Sequence, residues 1–132
     1  MDDRQFISEF EACTLPAQDF HHPEHVRVVW LYLQRYSLLE TLAKFSQNLK
    51  RFAAANGKAH IYHETITWAY VFLIHERTRG KQGRNWKEFS EANADLLDWQ
   101  HSVLPRYYSQ ETLHSERARR MFVFPDRVAL EV

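Results

Sequence analysis

The run Ile66-Thr67-Trp68-Ala69-Tyr70-Val71-Phe72-Leu73-Ile74 constrains this chain more than any other segment, because it offers almost no polar face to water. A helix that is apolar nearly all round has to be wrapped by other elements. With its β-branched residues the run also suits a buried strand, but strands average about 5–6 residues and this pattern continues to about Arg77. The sequence therefore predicts a helix from about Tyr62 to about Arg77 at the centre of a bundle.

The wrapping elements can be read from their start and stop signals. Phe6, Ile7 and Phe10 recur at helical spacing, and the residue before Pro16 avoids the α region, so a short lid or flanking helix ends before Leu15. A second helix begins at His22-Pro23, where proline loses no needed hydrogen bond, and runs through Val26, Val29, Trp30, Leu33 and Tyr36. Ser37-Leu38-Leu39-Glu40 reads as a reciprocal cap that starts a third helix, with Leu38, Leu42, Phe45, Leu49 and Phe52 on its apolar face and a stop at Asn56-Gly57. Asn85 and Ser109 read as caps of shorter helices, the last carrying Leu113, Ala118, Met121 and Phe122, with another turn or two between Asp95 and Val103. The predicted class is all-α: a small up-and-down helical bundle with additional short helices, forming a single helical domain over residues 1–132.

Composition narrows the function classes. The chain is 45% hydrophobic and 26% charged with only three Gly and four Pro, which leaves little material for linkers or disorder. Lys plus Arg equals Asp plus Glu at 17 each, so no global field draws the protein to nucleic acid or an acidic membrane. The start Met1-Asp2-Asp3-Arg4-Gln5 lacks the apolar stretch of a signal peptide, and no run reaches the ~18 apolar residues of a membrane span. With Cys13 as the only cysteine, no intrachain disulfide forms, and a cytoplasmic location is expected.

Eight histidines direct attention to metal chemistry. His22 and His25 lie three apart at one helix start, and His60 and His63 repeat that spacing before the central helix, where Glu64 adds a carboxylate. Short connections between the second, third and fourth helices would make the second and fourth parallel, with both histidine pairs at one end. His25 shares its face with Val29, Leu33 and Tyr36, and His63 with Ile66, Tyr70 and Ile74, so both faces look inward. The leading expectation is a mononuclear site ligated by His22, His25 and His63, completed by water or Glu64 and holding a transition metal, with zinc or iron the best fits. Its chemistry would be that of a metal-dependent hydrolase or oxygenase, with Glu64 as the catalytic base if it is not a ligand. His21 and His60 are the alternative ligands. Two helix N-termini disfavour a bare cation, and histidines at helix starts also serve as caps or core hydrogen-bonding groups. The competing expectation is thus a non-enzymatic domain that binds a small ligand or a partner without metal.

Other candidates are weaker. Arg77, Arg79, Lys81, Arg84 and Lys87 with Trp86 could contact phosphates and stack a base, but a solvated basic loop suffices. Tyr107-Tyr108-Ser109 with Arg117, Arg119 and Arg120 could line a polar pocket or simply anchor a helix. No nucleophile elbow, Walker loop or dinucleotide glycine pattern occurs.

The runs Phe20-His21-His22-Pro23-Glu24-His25-Val26-Arg27, Arg51-Phe52, Tyr62-His63-Glu64-Thr65-Ile66-Thr67, Tyr107-Tyr108-Ser109 and Pro125-Asp126 resemble a group of short bacterial helical proteins with no assigned activity. The resemblance spans most of the chain from Phe20 to Asp126 and implies a free-standing small domain. At the level of fold alone, a bundle with clustered histidines is similar to the DinB-like metal-binding bundles, whose ligand spacing differs from that seen here.

Overall fold

The computed structural model describes residues 1–80 and 84–127, which form eight α-helices and three short 3-10 turns with no strand among them. The helices are α1 (Asp3–Glu11), α2 (His22–Leu33), α3 (Leu38–Ala55), α4 (Glu64–Thr78), α5 (Trp86–Ala92), α6 (Ala94–Leu97), α7 (Gln110–Leu113) and α8 (Glu116–Arg120). The all-α expectation therefore holds. Among the described residues no helix is long and apolar enough to cross a membrane.

The boundaries follow the caps. Ser37 Oγ accepts from the Glu40 N–H at 3.1 Å while Glu40 accepts from the Ser37 N–H at 2.9 Å, so α2 and α3 are separate helices joined by a tight turn. The α3 terminus gives way to Gly57 at φ +71, a left-handed conformation that glycine adopts without a Cβ penalty. Asn85 and Glu88 repeat the reciprocal cap at α5. The expected last helix is instead two. Ser115 accepts from the Ala118 N–H and starts α8 afresh, while Met121 and Phe122 lie beyond its end.

Helix α4 packs against α2, α3 and α8 and is central, as its apolar run requires. Val71 and Ile74 are fully buried, whereas Trp68 and Phe72 reach the outer side, where the Phe122 ring stacks on Trp68 at 5.4 Å. The segment carrying Phe122 is held in place by Thr65, whose hydroxyl donates to the Met121 carbonyl and accepts from the Val123 N–H.

Helix α1 is part of the core rather than a lid. Phe10 has no exposed surface, and its ring lies 4.8 Å from Phe20 and 5.7 Å from Phe52. Such aromatic pairs each add about 0.5–1.5 kcal/mol beyond the area they bury. Arg51 ties the same region to the end of α1 by donating to the Glu11 carbonyl.

Candidate functional site

The first halves of α2 and α4, the C-terminal half of α3 and the segment after α6 line a cavity of about 820 Å³ that opens to solvent. This lies within the ~300–1,000 Å³ span of small-molecule sites. Its inner wall is Val26, Val29, Phe45 and Ile74, all buried. Trp99 and Ile61, each more than half exposed, stand with Lys58 and Gln100 at its mouth. His22, His25 and His63 all line it.

The three imidazoles have different hydrogen-bonding states. His63 is the N-cap of α4. Its Nδ1 accepts from the Ile66 N–H at 3.1 Å and its Nε2 lies 2.7 Å from the Leu113 carbonyl oxygen. A carbonyl oxygen only accepts, so Nε2 carries the proton and both nitrogens are occupied. His22 Nε2 likewise donates to the Leu96 carbonyl at 2.8 Å, leaving Nδ1 as its open position. Its ring packs against Tyr70 at 4.6 Å and Trp99 at 5.0 Å. Burial lowers the His22 pKa, with the Leu96 bond, Asp98 and Glu24 opposing.

His25 has no such partner. Among the described residues nothing hydrogen-bonds either nitrogen of its ring, which sits 4.4 Å from Phe20 and 6.5 Å from Phe45. The ring keeps some accessible surface, and that surface opens onto the cavity. Withdrawal from water pulls its pKa down from 6.5 to about 3, with the nearby His22 and His21 adding to the effect.

These states overturn the expected metal centre. Among the described residues no group of three or more His, Cys, Asp or Glu side chains is placed to hold a metal ion. The physical reason is that His63 would have to surrender both a helix cap and its bond to Leu113, and His22 has one nitrogen committed to Leu96. The zinc or iron reading, and the hydrolase or oxygenase chemistry built on it, fall with that finding. Glu64 is turned away from the role of base. It accepts from the Tyr62 hydroxyl at 2.5 Å, lies 3.7 Å from Lys50 Nζ and is not part of the cavity wall. Burial and the Glu64 contact raise the Tyr62 pKa. The alternative ligands are no better placed, since His60 is exposed in the 3-10 turn Ala59–Ile61, and His21 is exposed before α2 with its backbone N–H capped by Glu24 at 2.8 Å.

Several of the other candidates have structural employment. Arg77 makes a two-pronged contact with Asp95 at 2.9 and 3.0 Å and also reaches Asn93, which fastens the end of α4 to α6. Trp86 stacks on Phe89 and lies tilted against Trp30, so its ring is used in packing α5 onto α2. Lys81 lies outside the described residues. Tyr108 is buried with its hydroxyl donating to the Val123 carbonyl, while Arg119 and Arg120 pair with Glu116.

Sequence periodicity did not single out Trp99, Phe20 or Tyr62 as parts of a site. Trp99 follows α6 in an irregular segment, and Phe20 precedes α2, so neither belongs to a helical stripe. An exposed tryptophan beside a histidine pair leaves no spacing signature. Comparisons with family models, curated proteins and solved structures found no match for this chain.

Proposed function

We propose that this protein is a binding domain for a small, largely apolar molecule that occupies the cavity between α2, α3 and α4 without a metal. The observation that carries this reading is the cavity itself, of small-molecule size and mostly apolar in its walls, with the half-buried His25 imidazole in its lining and no hydrogen-bond partner on that ring among the described residues. A ligand that hydrogen-bonds this ring gains about 0.5–1.5 kcal/mol net from that bond, while its apolar body covers wall surface at about 25 cal/mol per Å². The free thiol of Cys13 and the lack of any disulfide suit a reducing, cytoplasmic setting.

The test is a fluorescence titration with N-phenylnaphthylamine, an uncharged dye that brightens in apolar surroundings. Saturable binding of one dye per chain is expected. It should be lost in Ala53→Trp and in Leu49→Trp, which push an indole into the cavity from half-buried positions on α3. Both variants should keep the native helical circular dichroism. Absence of saturable binding to the native protein, or undiminished binding by both folded variants, overturns the reading.

A further inference from the structure

We infer that the cavity selects an uncharged aromatic hydroxyl compound, of the phenol or naphthol class, whose ring lies among the aromatic walls and whose hydroxyl pairs with the His25 imidazole. The inference rests on the binding reading above and adds to it the chemical class of the ligand.

Charge is the first discriminator. No Asp or Glu lines the cavity among the described residues, and the one permanently charged side chain in its wall, Lys58, is exposed at the mouth. An ammonium group would find no counter-ion inside. A carboxylate would lose its hydration among the apolar walls, with Lys58, its available cation, standing out at the mouth rather than inside.

Shape and surface favour a ring over an alkyl chain. Phe20, Phe45, Phe52, Tyr62, Tyr70 and Trp99 all line the space. Phe20 and Phe52 stand 4.8 Å apart at a tilt of 54°, and Tyr70 and Trp99 stand 6.3 Å apart at 43°. Faces and edges set at such angles offer an inserted ring the offset and edge-on contacts that aromatic groups prefer.

The polar contact selects the hydroxyl. Other polar groups deeper in the wall are already engaged: Tyr62 donates to Glu64, Tyr70 pairs with Ser102 at 2.9 Å, and Thr67 donates to the His63 carbonyl. His21, Asn56, Lys58 and Gln100 are exposed at the rim and open to water, which leaves His25 and Nδ1 of His22 as the less exposed positions without a partner among the described residues. A neutral imidazole carries one N–H donor and one bare acceptor nitrogen. A hydroxyl both donates and accepts, so it pairs with His25 whichever nitrogen faces the chamber. A carbonyl matches only the N–H.

The experiment is displacement of N-phenylnaphthylamine from the full-length protein by naphthalene, naphthol and naphthoate, which share a ring system and differ in the head group. Naphthol should displace the dye at concentrations roughly three- to tenfold lower than naphthalene, the range expected for one added hydrogen bond. Naphthoate should be the weakest. The preference for naphthol should vanish in His25→Phe. As a readout independent of that variant's folding, the His25 ring-nitrogen resonances of isotope-labelled protein should move with naphthol and hold still with naphthalene. Equal displacement by naphthol and naphthalene, or strongest displacement by naphthoate, overturns the inference while leaving the binding reading standing. Failure of the dye itself to bind overturns both.

Discussion

Replacing His63 separates a structural histidine from a metal ligand. In the structure His63 does two things at once, capping α4 through Nδ1 and holding the Leu113 carbonyl through Nε2. Loss of a helix cap costs about 1 kcal/mol. Stranding a part-buried carbonyl costs about 1–2 kcal/mol more. His63→Ala should therefore destabilise the protein by about 2–3 kcal/mol, a large share of the ~5–15 kcal/mol that holds a domain folded. His63→Asn restores a capping oxygen without reaching Leu113, and should recover about 1 kcal/mol of that loss. Urea denaturation followed by circular dichroism reads both numbers, with an unchanged m-value showing that the shift in midpoint is a shift in stability. His63→Ala within ~0.5 kcal/mol of the native protein, or an Asn variant no better than Ala, would refute the two-bond account of this residue.

Three other outcomes follow from the same structure. The folded-state pKa of His25 lies below its ordinary value, so the unfolded chain takes up the proton first; its contribution is fully present above pH 6.5 and is lost as pH falls towards about 3, with His22 acting in the same direction. Urea midpoints measured across that window should fall for the native protein and fall less steeply for His25→Phe. Asp126 accepts from the Ser109 N–H, the Ser109 hydroxyl and the Thr112 hydroxyl, which draws its pKa from 3.8 to about 2. Its contribution is therefore complete above pH 3.8 and lost as pH falls through about 2; a carboxyl resonance titrating near the ordinary value would contradict those three bonds. Ser37→Ala should cost about 1 kcal/mol by the same urea assay, and Ser37→Asp, which can still cap, much less.

The fold was legible because its signals are local. The cap Ser37–Glu40, the proline at the start of α2 and the stop at Gly57 each fix a boundary through bonds within a few residues. The apolar run of α4 demanded neighbours on most sides and has them in α2, α3 and α8. The break between α7 and α8 escaped because Ser115 competes with helix continuation by its own side-chain bond, a choice that periodicity over Leu113 and Ala118 does not register. In the site, spacing placed His22, His25 and His63 on inward faces but carried no information about what each nitrogen would touch. The partners of His22 and His63 are the carbonyls of Leu96 and Leu113, which lie 74 and 50 residues away in sequence. Backbone carbonyls look alike at every position, so no residue pattern announces them.

That distribution of partners bears on why His25 is histidine at all. A metal centre needs several lone pairs aimed at one point, and here each neighbouring imidazole is oriented by a bond of its own. The fold thus spends two distant carbonyls on satisfying His22 and His63 and supplies nothing to His25, although all three line the same chamber. If packing alone decided the residue, an apolar side chain beside Phe20 and Phe45 would fill the same place. Local rules are most often broken where a site is used, since a partner that arrives later can meet the need the fold leaves open. The ring's neighbours reinforce the point: Phe20 stacks on Phe10 and lies against Phe52, so His25 borders an aromatic cluster that a purely apolar residue would extend.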